Sequence, residues 1–254
     1  LMLLCNDCHH EVDVVRPQDF PVELLREYKR EHEERIFALT EIGPEHRTTV
    51  IQLRSTIAGQ LVDLPVPDIR TALHPRYPAR LPGALIDLSG LQRESADFFK
   101  VARDEIRREL RPALRAEFES KRIQHYSVFA LAPIPVLICL GREVGNKVTV
   151  DLYQRHKADG SWKWREDGPV AAYGGSKVRT GTDSHCVALQ LSLSGKIDAS
   201  SLPDVIDARF TVYEITLTDR SPSVDYMRRR EDLDAFRAAY REVLGAIHAA
   251  HGGL

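Results

Sequence analysis

Runs of β-branched and apolar residues alternate with long helical patterns along this 254-residue chain. This alternation is typical of an α/β fold, in which helices cover a mainly parallel sheet. The longest helical pattern spaces apolar residues from Phe99 to Phe118, and we expect Pro112 to kink or divide that helix. Further helices are predicted at about 21–36, 136–141 and 233–247, and strands at 48–53, 126–131, 148–153, 187–193 and 210–217.

The composition is that of a globular chain. Hydrophobic residues make up 43% and charged residues 28% of it, and the mean hydropathy is -0.29. These values exclude a disordered, collagen-like or multi-span membrane protein. No apolar stretch reaches the roughly 18 residues of a membrane span, so we expect no membrane partner. Because the net charge is only -2, contact with nucleic acid requires a local basic surface.

The four cysteines are Cys5, Cys8, Cys139 and Cys186. Their spacing is not that of a disulfide framework, which indicates a reduced, cytoplasmic protein. Cys5 and Cys8 have the spacing by which two thiolates bind one tetrahedral zinc ion. One pair is half of a zinc site, so the other ligands are expected upstream of Leu1 or from a nearby histidine. Unpaired thiols are the alternative.

The surroundings of this cysteine pair carry a family resemblance. The segments Cys5–Asp13 and Leu24–Glu33 resemble the C-terminal end of an HNH endonuclease, a ββα-metal domain that cleaves DNA. The resemblance implies that Cys5 and Cys8 belong to its zinc knuckle and that His9 binds its catalytic Mg²⁺ or another divalent cation. In that family the base histidine and the first cysteine pair precede such a segment, so residues 1–36 are expected to be only the tail of the nuclease. The alternative for His9 is a solvent-exposed histidine.

The window 142–165 combines positive charge with aromatic rings. It holds six basic and three acidic residues, and both tryptophans of the chain. Cations beside flat rings suit a nucleobase and its phosphate. If the segment is a regular strand, Trp162 and Trp164 face the same way and form one platform. A β-hairpin with Trp164 in the core is the alternative. The predicted ligand contacts in this window are Tyr153, Gln154, Arg155, Trp162 and Trp164.

Two other features suit a ligand. Pro133 and Pro135 predict a rigid turn between a strand and the N-terminus of a helix, where free amides can face an anion. Ser192 and Ser194 alternate with leucines, so both hydroxyls are expected on one strand face. A packing turn and water-facing hydroxyls are the respective alternatives.

A second resemblance covers the larger part of the chain. The segments 125–141, 153–156, 162–164 and 191–195 resemble a SAVED domain, the cyclic-oligonucleotide sensor of CBASS anti-phage systems. The resemblance implies two fused CARF-like Rossmann halves that bind a cyclic di- or trinucleotide between them. The implied contacts are Pro133, Ser192 and Ser194 together with the five residues of the window.

The two resemblances together predict an effector that senses the cyclic nucleotide, forms a homo-oligomer and degrades double-stranded DNA. The expected divisions are 1–36 for the nuclease tail, 37–47 for a linker and 48–254 for the SAVED domain, with halves at about 48–122 and 123–254. A further strand and helix are expected after Leu254. The rival hypothesis is a non-catalytic module that binds single-stranded nucleic acid through its zinc knuckle and tryptophans. A second cysteine pair, a histidine and an asparagine encoded upstream would favour the nuclease.

Overall fold

The computed structural model describes residues 4–57, 60–61, 63–92, 95–120 and 125–252. The predicted boundary between the two halves, at about 122 and 123, and the chain end at Leu254 lie outside the described residues. Within the described residues the helices are α1 (Asn6–His10), α2 (Val22–Thr40), α3 (Val66–Leu73), α4 (Phe98–Ser120), α5 (Ile134–Val144) and α6 (Arg230–His251). The strands are β1 (Arg47–Arg54), β2 (Thr56–Ile57), β3 (Gln60–Leu61), β4 (Tyr77–Pro78), β5 (Ala84–Asp87), β6 (His125–Leu131), β7 (Thr149–Tyr153), β8 (Tyr173–Arg179), β9 (Val187–Ser192) and β10 (Thr211–Leu217).

The first sheet is parallel and has β1 at its centre. On one side β1 pairs with β5 and, at its start, with β4; on the other side it pairs with β6, which pairs with β7. Gly83, directly before β5, has a φ of 79°, and a Cβ there would lie 2.2 Å from the carbonyl oxygen of Val50. A glycine at this position therefore allows the chain to pass close to β1 as it enters β5. We call the end of the sheet where β1, β5 and β6 finish the carboxyl edge, and the opposite end the amino edge. The α/β class predicted from the sequence is confirmed.

Helices α4 and α5 cover one face of the first sheet. Ile106 and Leu110 of α4 pack there against Ile51 and Val128. Pro112 lies on the exposed side of α4, and the helix continues past it to Ser120. The expected division of the helix at Pro112 is therefore wrong, because the buried face of α4 is anchored on both sides of the proline.

The other face of the first sheet is covered by α3 and by the loop 154–172. Ile69 and Leu73 of α3 pack with Val50, Phe129 and Trp162 into a second core cluster. This packing explains why a chain segment without strand or helix passes so close to the sheet: the buried ring of Trp162 anchors it, and Trp164 packs against the same cluster.

The second sheet has the order β8-β10-β9, with β10 parallel to β9 and antiparallel to β8. Val243 and Ile247 of α6 pack against Tyr213 and Ile215 of β10. Helix α4 carries the chain back to place β6 beside β1, so both sides of the predicted boundary at about 122 and 123 contribute strands to the first sheet, and the division into two halves there stays a prediction. The two sheets divide between Tyr153 and Tyr173.

The first forty described residues pack loosely. Helix α2 has no buried residue, and its C-cap is Glu41, which adopts a left-handed conformation with φ 54°. The predicted helix at 21–36 is thus confirmed, with an end four residues later at Thr40. None of the helices in the described ranges is long and apolar enough to cross a membrane.

Candidate ligand site

The carboxyl edge contains a topological switch point between β1 and β6. The connection that follows β1 runs over one face of the sheet through α3, and the connection that follows β6 runs over the other face through α5. Arg54 and Leu131 are paired at the ends of these strands, so Ser55 and Ala132 begin the two diverging loops. Crevices of this kind are where open α/β sheets bind ligands.

Polar side chains converge at this edge. Nη2 of Arg54 donates to Oδ2 of Asp87 at 2.6 Å, and Nη1 of Arg54 lies 3.5 Å from Oδ1 of Asp63. The Arg54 hydrogen bond lowers the pKa of Asp87 to about 2. Among the described atoms, Nε of Arg54 and the hydroxyl of Ser55 are buried and have no hydrogen-bond partner. A buried polar atom without a partner is costly, so these two atoms mark a place where a ligand would complete the bonding.

The turn after β6 lies at the same edge. Pro133 caps α5, and its carbonyl oxygen accepts from the amides of Val136 at 2.9 Å and Leu137 at 3.1 Å. Pro135 has no amide hydrogen, so Ile134 supplies the one first-turn amide that has no acceptor within the helix. Ile134 is 72% exposed. The predicted rigid turn at a helix N-terminus is confirmed. We call Arg54, Ser55, Asp87, Pro133 and Ile134 the switch-point site.

Two of the predicted stacking residues lie in the core. Trp162 is 1% exposed, and its ring meets Phe129 edge-on with centroids 5.5 Å apart. Tyr153 is also buried and stacks on Phe129 with centroids 4.4 Å apart. Trp162 therefore offers no free face to a ligand in this structure, and Phe129 covers one face of Tyr153.

Trp164 lies apart from Trp162. It is half-buried, and its Nε1 donates to the carbonyl oxygen of Leu152 at 2.9 Å. The expected platform of two tryptophans on one strand face is wrong, because the described residues 154–172 contain no strand. The hairpin alternative is wrong for the same reason.

The remaining predicted contacts lie on separate elements. Nε2 of Gln154 donates to the carbonyl oxygen of Met227 at 3.0 Å, and Arg155 is exposed. Ser192 is buried and donates to Oε1 of Glu214, whereas Ser194 is exposed. The expectation that both serine hydroxyls share one strand face is wrong, because β9 ends at Ser192.

The sequence reasoning missed Arg54, Ser55 and Asp87. A signal for them exists in the sequence, since Arg54 and Asp87 each directly follow an apolar strand run and Ser55 follows Arg54. Recognising it required knowing that β1 and β5 are parallel neighbours, which places their last residues together.

The predicted zinc ligands lie at the start of α1. Cys5 caps this helix, and its Sγ accepts from the amide of Cys8 at 3.5 Å. The hydrogen bonds from Cys8 lower the pKa of the Cys5 thiol, and the hydrogen bond with Cys5 raises the pKa of the Cys8 thiol. A lowered thiol pKa favours the thiolate that binds metal. The pair fits two of the four ligands of a structural zinc ion.

His9 is exposed, and its Nε2 lies 3.4 Å from Oδ2 of Asp13. Among the described residues, no three histidine, cysteine or acidic side chains are grouped as a metal would need. Both metals stay predictions.

The comparisons with known proteins concern the part of the chain that holds the turn after β6 and the whole second sheet. The SAVED family, described as an SMODS-associated sensor domain fused to various effectors, matches residues 106–253. No curated protein matches the chain. The family match spans more than half of the sequence and contains β6, α5, β7 and the second sheet with α6. This chain therefore belongs to the SAVED family of sensor domains.

Proposed function

We propose that this chain senses a cyclic di- or trinucleotide at the switch-point site and, in the cytoplasm, activates an HNH nuclease that degrades double-stranded DNA in CBASS anti-phage defence. Membership in a family of effector-fused sensors supports the sensing role. The observation that carries the site is the pair of unpartnered buried polar atoms, Nε of Arg54 and Oγ of Ser55, at the switch point.

The switch-point site matches the chemistry of a cyclic nucleotide. The Arg54 guanidinium is held by Asp87 and keeps Nε free to donate, and a guanidinium donating to a phosphate oxygen makes a strong charge-assisted hydrogen bond. The Ser55 hydroxyl and the Ile134 amide are neutral donors at the starts of the two loops that diverge after β1 and β6. We expect these three donors to orient a phosphodiester bound at the switch point.

The nuclease part of the proposal rests on residues 1–36. Helix α1 brings Cys5, Cys8 and His9 within little more than one helical turn, which suits a zinc knuckle next to a ligand of a catalytic divalent cation. When bound, that cation would stabilise charge on the scissile phosphate. His9 would hold the cation, while Cys5 and Cys8 would hold the structural zinc.

Activation would proceed through assembly into a homo-oligomer. A cyclic nucleotide that binds the assembled state more tightly than the free protein shifts the equilibrium by its differential affinity. Assembly would bring several nuclease domains to one duplex.

The test is isothermal titration of the chain with a panel of cyclic di- and trinucleotides. Ser55→Ala is expected to weaken binding of the best ligand about 3- to 10-fold, the effect of one neutral hydrogen bond. Stability should hardly change, because the substitution removes a buried hydroxyl that has no partner.

The matched control is Thr49→Val. The Thr49 hydroxyl is equally buried and unpartnered among the described atoms, but it lies near the start of β1. Its removal should leave affinity unchanged. If Ser55→Ala binds as tightly as the wild type, or if none of the cyclic nucleotides binds, the proposal fails.

A further inference from the structure

A cavity of about 440 Å³ opens at the amino edge of the first sheet, at the end of β1 opposite to the switch-point site. Arg76, which precedes β4, and Asp151 of β7 line it, and β4 pairs with the first residues of β1. Trp164 from the loop 154–172 and Arg230 from the start of α6 form the other walls. We call it the amino-edge cavity.

The walls of the amino-edge cavity carry a surplus of positive charge. Five basic side chains and three carboxylates, those of Asp151, Glu166 and Glu231, line the cavity. The five are Arg76, Lys163, Arg165, Arg229 and Arg230. Arg229 pairs with Glu231, Lys163 with Glu166, and Arg165 with Asp159 outside the lining, so the surplus of positive charge lies with Arg76 and Arg230.

Asp151 sits at the centre of this charge. Its Oδ2 accepts from Nε of Arg76 at 3.3 Å and lies 3.1 Å from Nε2 of His125, and its Oδ1 contacts Nη2 of Arg230. Only 14% of the Asp151 side chain is exposed. One carboxylate cannot neutralise two guanidinium groups, so the cluster keeps a net positive charge, and Arg230, with a side chain 48% exposed, presents that charge to the cavity.

Trp164 adds a fixed aromatic wall. The hydrogen bond from its Nε1 to Leu152 holds the indole in place, and the edge of the ring system meets His156 with centroids 5.9 Å apart. A flat ring held beside cations suits a nucleobase next to its phosphate.

We propose that the amino-edge cavity is a second ligand site, separate from the switch-point site, and that it binds a nucleotide through its phosphate. Arg76, Arg230 and Lys163 hold the phosphate, and Trp164 contacts the base. The phosphate belongs either to a free nucleoside monophosphate or to the end of a nucleic-acid strand. The volume of the cavity lies within the range of small-ligand sites.

The test is titration of the chain with three probes: AMP, inorganic phosphate and a short 5′-phosphorylated oligonucleotide. AMP and phosphate are expected to compete, and both should bind more weakly as salt is raised. Arg230→Gln should weaken AMP binding about 10-fold or more, as expected for the loss of a charge-assisted hydrogen bond. Trp164→Ala should weaken AMP binding and leave phosphate binding unchanged.

The controls separate binding from folding. Lys163, with a side chain 58% exposed, provides a second variant, Lys163→Gln, which should fold normally and weaken both AMP and phosphate binding about 3- to 5-fold, a smaller loss because the lysine is exposed. Lys196→Ala, at a side chain that is 78% exposed and outside the cavity, should change neither. Tighter binding of the oligonucleotide than of AMP identifies a strand end as the ligand, and equal or weaker binding identifies the free nucleotide.

Two results would overturn this inference. One is the absence of AMP, phosphate and oligonucleotide binding at millimolar concentration. The other is a loss of cyclic-nucleotide affinity in both Arg230→Gln and Ser55→Ala, which would show that the switch-point site and the amino-edge cavity belong to a single binding site. Failure of Ser55→Ala alone to affect cyclic nucleotides would count against the proposed function and leave the amino-edge cavity supported.

Discussion

The ring of Trp162 meets the ring of Phe129 edge-on, with centroids 5.5 Å apart and planes at 63°. Tyr153 also stacks on Phe129, with the two ring planes 9° apart. Edge-to-face and stacked pairs of this kind stabilise a core beyond the area they bury. Tyr153 and Trp162, two of the residues that suggested a base-stacking surface, therefore pack in the core, and Trp162 fastens the loop 154–172 to the first sheet.

Trp162→Ala is expected to lower the free energy of unfolding by about 3–5 kcal/mol, because it leaves a large cavity against Phe129. Urea denaturation measures the loss, and Trp164→Ala, at a half-buried ring, should cost less. Titration of the folded Trp162→Ala protein should give wild-type affinity for the cyclic nucleotide. Wild-type stability together with lost affinity would show that Trp162 contacts the ligand and does not anchor the loop.

The Arg54–Asp87 pair predicts a loss of stability in acid. The Arg54 hydrogen bond lowers the pKa of Asp87 from 3.8 to about 2, so the stabilisation is fully present above about pH 4 and disappears as the pH falls towards 2. Asp87→Asn should be less stable than the wild type at pH 5, and the difference should shrink in this window. Urea denaturation across the pH range measures it. Arg54→Gln should remove the same pH-dependent component, and an unchanged acid profile in both variants would contradict the assignment.

We expect Asp151 to stabilise the folded protein in addition to setting the charge of the amino-edge cavity. Burial raises its pKa, but hydrogen bonds from His125 and Arg230 outweigh burial and hold the pKa below its ordinary value. Asp151→Asn leaves Arg76 and Arg230 without their anion, at an expected cost of about 2 kcal/mol. This is less than for a fully buried pair because Arg230 is half exposed. A double-mutant cycle with Arg230→Gln measures the coupling, and simple additivity would contradict the pairing.

The proposed function predicts one zinc ion per chain in the full-length protein. Cys5→Ser and Cys8→Ser should each abolish stoichiometric zinc, measured by elemental analysis, because each removes a thiolate ligand. Cys139→Ser and Cys186→Ser are the matched controls, at half-buried thiols away from α1, and should retain the metal. Absence of zinc from the wild type, with folding insensitive to a chelator, would contradict the knuckle.

His9→Ala in the same protein should reduce cleavage of double-stranded DNA by more than about 100-fold, because it removes a ligand of the catalytic cation. Binding of the cyclic nucleotide should not change. The neighbouring exposed residue His10 provides the control His10→Ala, which should cleave normally. Cleavage by His9→Ala at the wild-type rate would exclude His9 as a ligand, and DNA binding without cleavage in the wild type would favour the non-catalytic module.

Local sequence patterns predicted most elements of the two sheets. Strands β1, β6, β7, β9 and β10 follow runs of β-branched and aromatic residues, and helices α4 and α6 follow apolar residues at helical spacing. Strand β8 was missed because Gly174 and Gly175 give it little strand propensity. It forms because β10 supplies a full set of backbone partners.

The sequence by itself determined the α/β class, the rigid turn at Pro133 and the resemblance to an effector-fused sensor, because each depends on residues close together along the chain. Only the tertiary structure decided that β6 joins the sheet of β1, that Arg54, Ser55 and Asp87 meet at one edge, and that Trp162 is buried while Trp164 lines a basic cavity. The reason is that strand order and burial depend on crossover connections and packing between segments distant in sequence, and local periodicity carries no record of those contacts.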